Sequence, residues 1–521
     1  MHLDRLDLTV VAVYAVSLLI LAQWVSRERG DHQKDTKDYF LAGRALPWWA
    51  IGASLIAANI SAEQIIGMSG SAYVLGIAIA SYEWMSALTL IIVGKYLLPV
   101  FLKHKIYTMP QFLEQRYDSR VRTVMATFWL GVYVFVNLTS ILWLGSLAIN
   151  TVTGLEISYA LFLLGIFSAA YSLYGGLKAV ALTDIIQVVL LVLGGLMIAY
   201  VSLNEISGGA GFIAGFGLLL DQVPDKFDMI LSKDSPHYAN LPGISVLVGG
   251  MWVMNLSYWG FNQYIIQRAL AAKSNREAQK GIVFAAFLKM LMPVLVVLPG
   301  ITAVVLAPDL AAPDQAYPEV MKLLPAGLKG LVFAALIAAI VSSLASMTNS
   351  ISTIFTLDIY VHWSREAKSE RKLVAVGRIV SFTSLVIAML VARPLLGNFD
   401  QAFQYIQEFT GFFTPGIVAI FLLAIFWKRT TANGALGAGV GSAVLSLAFK
   451  LFWPALPFID RVGLAFLLCV GLGMLISILE RAGEHPDAVE FEEVDCSTST
   501  GFNFASLIVV LMLTALYATW W

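Results

Sequence analysis

Residues 51–73 read IGASLIAANISAEQIIGMSGSAY, a run long and apolar enough to cross a bilayer, yet Asn59, Ser61, Glu63 and Gln64 interrupt it near the middle. Hydrocarbon offers no partner to backbone N–H and C=O groups, so a chain at that depth is helical. Polar side chains held there serve a purpose. The segment AANISAEQ (57–64) is rich in small residues and reads as the unwound joint of a discontinuous helix, where backbone can approach a partner helix and a ligand closely. Composition is equally compatible with a sharply kinked packing helix.

The rest of the chain is written for the same solvent. Of its 521 residues 59% are hydrophobic and 13% charged, against roughly 45–50% and about 25% in soluble domains. A net charge of −1 lacks the basic face that a nucleic-acid partner requires. Six His and two Cys are too few and too scattered for a structural metal cage, and Cys469, in an apolar run, is not expected to pair with Cys496, which follows an acidic linker.

Fourteen runs approach span length: 7–25, 48–75, 80–101, 123–150, 157–176, 180–203, 244–266, 280–306, 327–356, 372–396, 402–427, 434–453, 461–479 and 503–521. The first lacks a clear cleavage site and is followed by Arg27 and Arg29, so it is expected to be a retained helix rather than a signal peptide. Alternate loops collect the basic residues: Arg27, Arg29, Lys34, Lys37 and Arg44; Lys103, Lys105, Arg116, Arg120 and Arg122; Lys178; Arg268, Lys273, Arg276 and Lys280; Arg365, Lys368, Arg371 and Lys372; Lys428 and Arg429. By the positive-inside rule these loops face inward, which puts both termini outside and the acidic stretch 483–495 inside. The longest loops, 204–243 and 481–502, are too short for a soluble domain, so function is expected between the helices and no enzyme is expected.

Polar residues inside the spans then become informative. Glu83 and Lys289 carry full charges at membrane depth, Ser86 lies three residues from Glu83 on the same face, and Asn255 lies three from Tyr258. Gln404 and Gln407 repeat that spacing. Single amides or hydroxyls of this kind commonly glue helices together, but charged groups on separate helices suggest a shared polar cavity. The interrupted runs at 48–75 and 244–266 would each open a block of five helices, the signature of inverted repeats. In VSSLASMTNS (341–350), Ser342 and Ser343 follow Ala339 by three and four residues, so two hydroxyls and a carbonyl share one face. Oxygens from this helix and from the broken joint would suit a small hard cation such as Na⁺; hydroxyls bonded back to the preceding turn are the other reading.

Long segments resemble one known family. DYFLAGRALPWWAIGASLIAANISAEQ (38–64), ASYEWMSALTLIIVGKY (80–96), YSLYGGLKAVALTDIIQV (171–188), YWGFNQYIIQRALAAKSNREAQKGIVFAAFLK (258–289), VFAALIAAIVSSLASMTNSISTIFTLDIY (332–360) and QAFQYIQEFTGFFTPGI (401–417) are similar to the sodium/solute symporters, within them the sodium/sugar branch. The resemblance implies an all-α polytopic protein of 14 transmembrane helices with a LeuT-like inverted-repeat (5+5) core. Its divisions would be 1–47 (extra helix and inner loop), 48–203 (first repeat), 204–243 (outer loop), 244–427 (second repeat) and 428–521 (three further helices). It implies that Gln64, Glu83, Ser86, Asn255, Lys289 and Gln407 hold the sugar. Tyr258 would lie under the sugar ring as the inner gate, and Met68, Tyr82 and Phe403 would close the outer side. The carbonyls of Ala57, Ile60 and Ala339 with the hydroxyls of Ser342 and Ser343 would hold Na⁺, and Asp184 would line a sodium exit path.

The activity implied is sodium-coupled import of a neutral monosaccharide of the galactose or glucose type by alternating access, one ion per sugar, with Na⁺ as coupling ion and no cofactor. The setting would be a bacterial inner membrane, with lipid as neighbour and the chain a monomer or weak homodimer. The alternatives are a sodium-coupled carrier of another organic solute, such as a sugar acid or an amino acid, and more remotely a membrane sugar sensor.

Overall fold

The computed structural model describes residues 3–26, 45–363, 369–397, 402–481 and 483–521. The basic residues Arg27, Arg29, Lys34, Lys37, Arg44, Arg365 and Lys368 lie outside them. Among the described residues the chain is helical, apart from one isolated bridge between Leu46 and Ala272. The elements that build the interior are α1 (Arg5–Ser26), α2 (Trp48–Asn59), α3 (Met68–Leu75), α4 (Ser81–Ile92), α5 (Ile157–Ile206), α6 (Gly250–Leu256), α7 (Gln263–Leu270), α8 (Asn275–Met292), α9 (Leu328–Ile354) and α10 (Ala402–Thr410).

Both expected interruptions are present. α2 ends at Asn59: Ile60 has ψ 74°, and the Ser61 N–H donates two residues back to Asn59 O at 2.7 Å, not four back as a helix requires. The chain resumes through a π turn, Glu63–Gly67, into α3. On the second segment α6 continues through a π turn, Ser257–Phe261, to an extended Asn262 (φ −80°, ψ 118°), and α7 starts behind it. Asn262 caps the new helix by accepting from Tyr264 N at 3.1 Å. Such π turns widen a helix locally and recur at functional sites.

The run expected at 402–427 divides into Ala402–Thr410 and Thr414–Phe426, and helix limits depart from expectation in two further places. The runs at 157–176 and 180–203 fall within the single helical element α5. Its middle, YSLYGGLKAVALTD (171–184), contains no Pro, so every residue there keeps the backbone donor that helix continuation needs. The loop expected at 204–243 contains an apolar helix, Phe212–Gln222. By length and composition, nine of the described helical stretches could cross a membrane.

Small residues let the interior close. A Cβ on Gly52 of α2 would lie 2.7 Å from Gly281 O of α8, and one on Gly281 would lie 2.8 Å from Trp48 O, so these helices meet backbone to backbone. Gly76, at φ 72°, makes the turn after α3, and the Lys226 carbonyl fills the space that a side chain would need. α5 packs on α9, and α2 is held between α5 and α8. The peripheral helices Ala432–Phe452, Phe458–Leu479 and Thr500–Thr519 expose Leu451, Leu467, Leu479 and Phe504, as lipid-facing surfaces do.

Three arginines expected in loops are corrected by the fold. Arg116, Arg122 and Arg268 are 1%, 2% and 1% exposed. Arg116 donates to the carbonyls of Ala424, Trp427, Lys428 and Thr430, and Arg122 pairs with Glu114 at 2.5 Å. A guanidinium can be buried where acceptors match its planar donors, and a count of charges along the chain does not sense such acceptors.

The loops sort to two ends of the bundle. At one end Trp520 O accepts from Met229 N, Lys226 donates to Val74 O, and Asp7 accepts from the N–H groups of Gly327 and Gly330. At the other, Lys103 pairs with Glu493, Lys428 with Glu490, and Asn275 donates to Asp495 O.

Candidate functional site

The Gly76 turn brings the start of α4 into the interior, where Tyr82, Glu83 and Ser86 are all buried. Glu83 Oε2 accepts from the Lys289 ammonium of α8 at 2.5 Å, with both side chains 1% exposed. Lys289 donates also to Asn59 Oδ1, and its Nζ lies 5.0 Å from the centroid of the Trp259 ring. A charge at this depth is tolerable only when paired and hydrogen-bonded, and here a carboxylate, an amide oxygen and an aromatic face share the task.

Beside this pair is a cavity of ≈60 Å³ lined by Asn59, Gln64, Glu83, Asn255, Gln407 and Tyr258, among others. Five of the six expected sugar contacts, Gln64, Glu83, Ser86, Asn255 and Gln407, line it. Lys289 stands behind, joined to the cavity through Glu83 and Asn59. Ser86 Oγ donates to Asn255 Oδ1 at 2.5 Å, and Asn255 Nδ2 donates to Met251 O at 3.1 Å. Gln64 Oε1 and the Tyr82 hydroxyl are buried without a protein partner. An unmet buried polar group costs about 1–3 kcal/mol, so a guest bearing hydroxyls would gain by supplying both.

Two walls bound this space. Tyr82 and Phe403 meet edge to face, ring centroids 5.3 Å apart at 82°, whereas Met68, the third expected outer residue, is fully buried and does not line the cavity. On the opposite side Tyr258 is fixed by Asn59, whose Nδ2 donates to the Tyr258 hydroxyl at 3.1 Å. Tyr258 lines a second cavity too, of ≈90 Å³, so it stands between two hollows.

Near the break, two of the expected cation residues, Ser342 and Ser343 of α9, reach other helices. Ser343 Oγ donates to Ala58 O at 3.2 Å, and the Tyr264 hydroxyl donates to the same carbonyl. Ser342 donates to Asp184 of α5. The other Asp184 oxygen accepts from Ser54 Oγ at 2.7 Å and lies 3.9 Å from the Arg268 guanidinium, which donates to Ser54 Oγ at 2.8 Å and to Ser346. Ala57, Ile60 and Ala339 are buried, but the carbonyl bonded to Ser343 is that of Ala58. Hydroxyl, carbonyl and carboxylate oxygens are the donor set of an alkali cation.

Sequence reasoning left out four residues that the fold brings in. Asn59 is in the quoted segment, but its two roles, acceptor for Lys289 and donor to Tyr258, depend on residues roughly two hundred positions away. Trp259 under Lys289, Tyr264 on the Ala58 carbonyl and Arg268 beside Asp184 likewise become visible only through tertiary contact.

Comparison with known proteins follows the same lines. The model of the sodium:solute symporter family matches residues 39–441. A sodium/glucose cotransporter of Vibrio parahaemolyticus is 50% identical over 537 aligned residues, which cover 100% of this chain and 99% of the relative. The sodium/myo-inositol cotransporter 2 of Mus musculus is 33% identical, with 85% and 70% covered. Among solved structures, a Na⁺-coupled sialic acid symporter in a substrate-bound outward-open state superimposes with a TM-score of 0.80 at 24% identity, covering 91% of this chain and 98% of that one. Mhp1, a nucleobase-cation-symport-1 family transporter in a closed conformation, gives 0.54 at 14% identity, with 87% and 96% covered. At such identities the structural likeness concerns the fold.

Proposed function

The chain belongs to the sodium:solute symporter family, and from that membership we propose that it imports a neutral monosaccharide, of the galactose or glucose type, together with Na⁺ by alternating access. The relative from Vibrio parahaemolyticus, matched along its whole length, is named for sodium and glucose. The observation that carries the reading is the Glu83–Lys289 pair, tied through Asn59 to the end of a broken helix and set against a cavity with unmet polar atoms.

A sugar hydroxyl both gives and accepts hydrogen bonds, so it needs acceptors, donors and two-way amides together. Glu83 supplies acceptors, and Gln64, Asn255 and Gln407 supply amides. Lys289 pairs with Glu83 and takes part once a guest hydroxyl displaces one of its partners. Tyr258 would floor the sugar and bar its inward exit, while Met68, Tyr82 and Phe403 would shut the outer side. Na⁺ would sit between the joint after α2 and α9, held by the carbonyls of Ala57, Ile60 and Ala339 and the hydroxyls of Ser342 and Ser343, with Asp184 on its exit path.

An ion bridging the joint to α9 would fix the position of Asn59 and therefore of Lys289 and Tyr258. Sodium would thus raise sugar affinity, and by linkage sugar would raise sodium affinity by the same factor. Release of Na⁺ to a sodium-poor interior then loosens the sugar. The two five-helix blocks, 48–203 and 244–427, would rock around this point. Both termini would face outward from a bacterial cell membrane, since the loops richest in Lys and Arg are expected inside. The sugar is carried unchanged.

The test is uptake into proteoliposomes across a panel of hexoses, with and without an inward sodium gradient. Accumulation of a hexose only with the gradient is expected. Accumulation of an amino acid or a sugar acid instead, or equal uptake without sodium, would overturn the proposal.

A further inference from the structure

Between the first half of α5 and the helix Glu370–Leu396, a groove of ≈840 Å³ opens on the flank of the bundle, within the roughly 300–1,000 Å³ typical of small-molecule sites. Its floor is closely packed: Met389 Sδ fills the space that a side chain on Gly165 would need, and Leu385 is buried. Phe162, Ile166, Phe382 and Leu390 form exposed rims. From Ser158 to Ala170 the groove follows α5 for about 18 Å, at 1.5 Å per residue. One leaflet of a bilayer supplies roughly 15 Å of hydrocarbon. The groove is therefore about as long as one leaflet is deep.

Its mouth is polar and carries both signs of charge. Arg393 Nη1 donates to Ser158 Oγ at 2.9 Å and to Glu156 Oε1 at 3.4 Å, and Ser158 Oγ donates to the same carboxylate oxygen at 2.8 Å. The arginine and glutamate side chains are nonetheless 65% and 52% exposed. Nη1 makes both of the arginine's bonds; among the described residues the rest of its donor fork reaches no acceptor.

In a bilayer an apolar groove selects little by itself, because lipid tails are as apolar as leucine. Selection falls to the mouth. A headgroup with net negative charge would be drawn by Arg393 and repelled by Glu156. A choline headgroup has no N–H to give the carboxylate. A phosphate followed by a primary ammonium satisfies both side chains with charge-assisted bonds. We propose that this groove holds an acyl chain of a zwitterionic aminophospholipid, with its phosphate on Arg393 and its ammonium on Glu156. By the positive-inside rule that mouth faces outward, so the lipid belongs to the outer leaflet. Glu156 and Arg393 fall in different blocks of the five-helix division above, 48–203 and 244–427, so the lipid would bridge the seam between them.

The test uses the full chain with dioleoyl phosphatidylethanolamine, phosphatidylcholine and phosphatidylglycerol as probes, added to the delipidated protein in detergent and counted by native mass spectrometry. The tightest adduct of the unaltered chain is expected to favour phosphatidylethanolamine about three- to tenfold over the other two. Arg393→Ala is expected to erase that preference. Glu156→Gln is expected to weaken phosphatidylethanolamine and strengthen phosphatidylglycerol, a reversal that misfolding cannot produce. Ala170→Phe, which fills the deep end of the groove from an exposed position, is expected to weaken all three lipids alike. Equal binding of the three lipids by the unaltered chain, or a preference unchanged by Arg393→Ala, would overturn the proposal and leave an adventitious lipid only. Dimers that carry no lipid and that Ala170→Phe disperses would assign the groove to a second copy of the chain and overturn it as well.

Discussion

The ammonium of Lys289 lies 2.5 Å from Glu83 Oε2 in a setting where both side chains are 1% exposed. Truncating one member of a buried pair strands the other charge at a cost of about 3–5 kcal/mol. Lys289→Ala or Glu83→Ala is therefore expected to lower the thermal midpoint in detergent and to abolish sodium-driven sugar accumulation. Glu83→Gln with Lys289→Met removes both charges and is expected to recover most of the midpoint without recovering transport. Transport by the neutral double variant would show that the pair has only a packing role.

Tyr258 separates two hollows and is steadied by Asn59 Nδ2 at 3.1 Å. Tyr258→Phe keeps the ring and loses that bond, worth about 0.5–1.5 kcal/mol, so sugar affinity is expected to fall by roughly two- to twelvefold with coupling intact. Tyr258→Ala opens the partition and is expected to let sugar run down its own gradient without sodium. Tracer efflux into sodium-free buffer separates these outcomes; tight coupling in the alanine variant would remove Tyr258 from the gate.

Ser343 reaches Ala58 O at 3.2 Å, across the gap between α9 and the broken end of α2. Ser343→Ala loses that contact and one proposed cation ligand. The sodium concentration for half-maximal uptake is expected to rise about tenfold, equivalent to about 1.4 kcal/mol, while the maximal rate at saturating sodium changes little. Sodium titrations of initial uptake measure this. An unshifted midpoint would place the ion elsewhere.

The site was partly legible in the sequence. The joint could be located near Asn59 because small and polar residues are conspicuous in an apolar run, and α2 does end there. The second break could be assigned to 244–266 but not to Asn262, since nothing in SYWGFNQY (257–264) announces an extended residue; Asn262 becomes a helix cap only because Tyr133 helps to fix it. Arg268 illustrates the limit most plainly. In the sequence it stands in a row of loop charges and reads as a topology signal, yet it lies buried among Ser54, Ser346 and Asp184. Charge patterns report where a residue stands relative to the membrane, whereas burial depends on which acceptors other helices bring to it.

That arrangement gives Arg268 a structural prediction of its own. Its Nε donates to Ser54 of α2 at 2.8 Å and its Nη2 to Ser346 of α9, so two helices are held to α7 through one planar group. Arg268→Ala strands Asp184 and is expected to cost about 3–5 kcal/mol of stability. Arg268→Lys, which cannot reproduce a fork of donors, is expected to rescue less than half of it. Denaturation in detergent decides; full rescue by lysine would mean that charge alone is required.

The central claim is that a cation and a sugar jointly order two broken helices, and the most direct measurement is reciprocal binding at equilibrium. Sugar affinity is titrated in sodium and in choline, and sodium affinity with and without saturating sugar. A coupling of about 5- to 150-fold is expected, with both titrations giving the same factor. Sugar binding of equal strength in sodium and in choline would contradict the account.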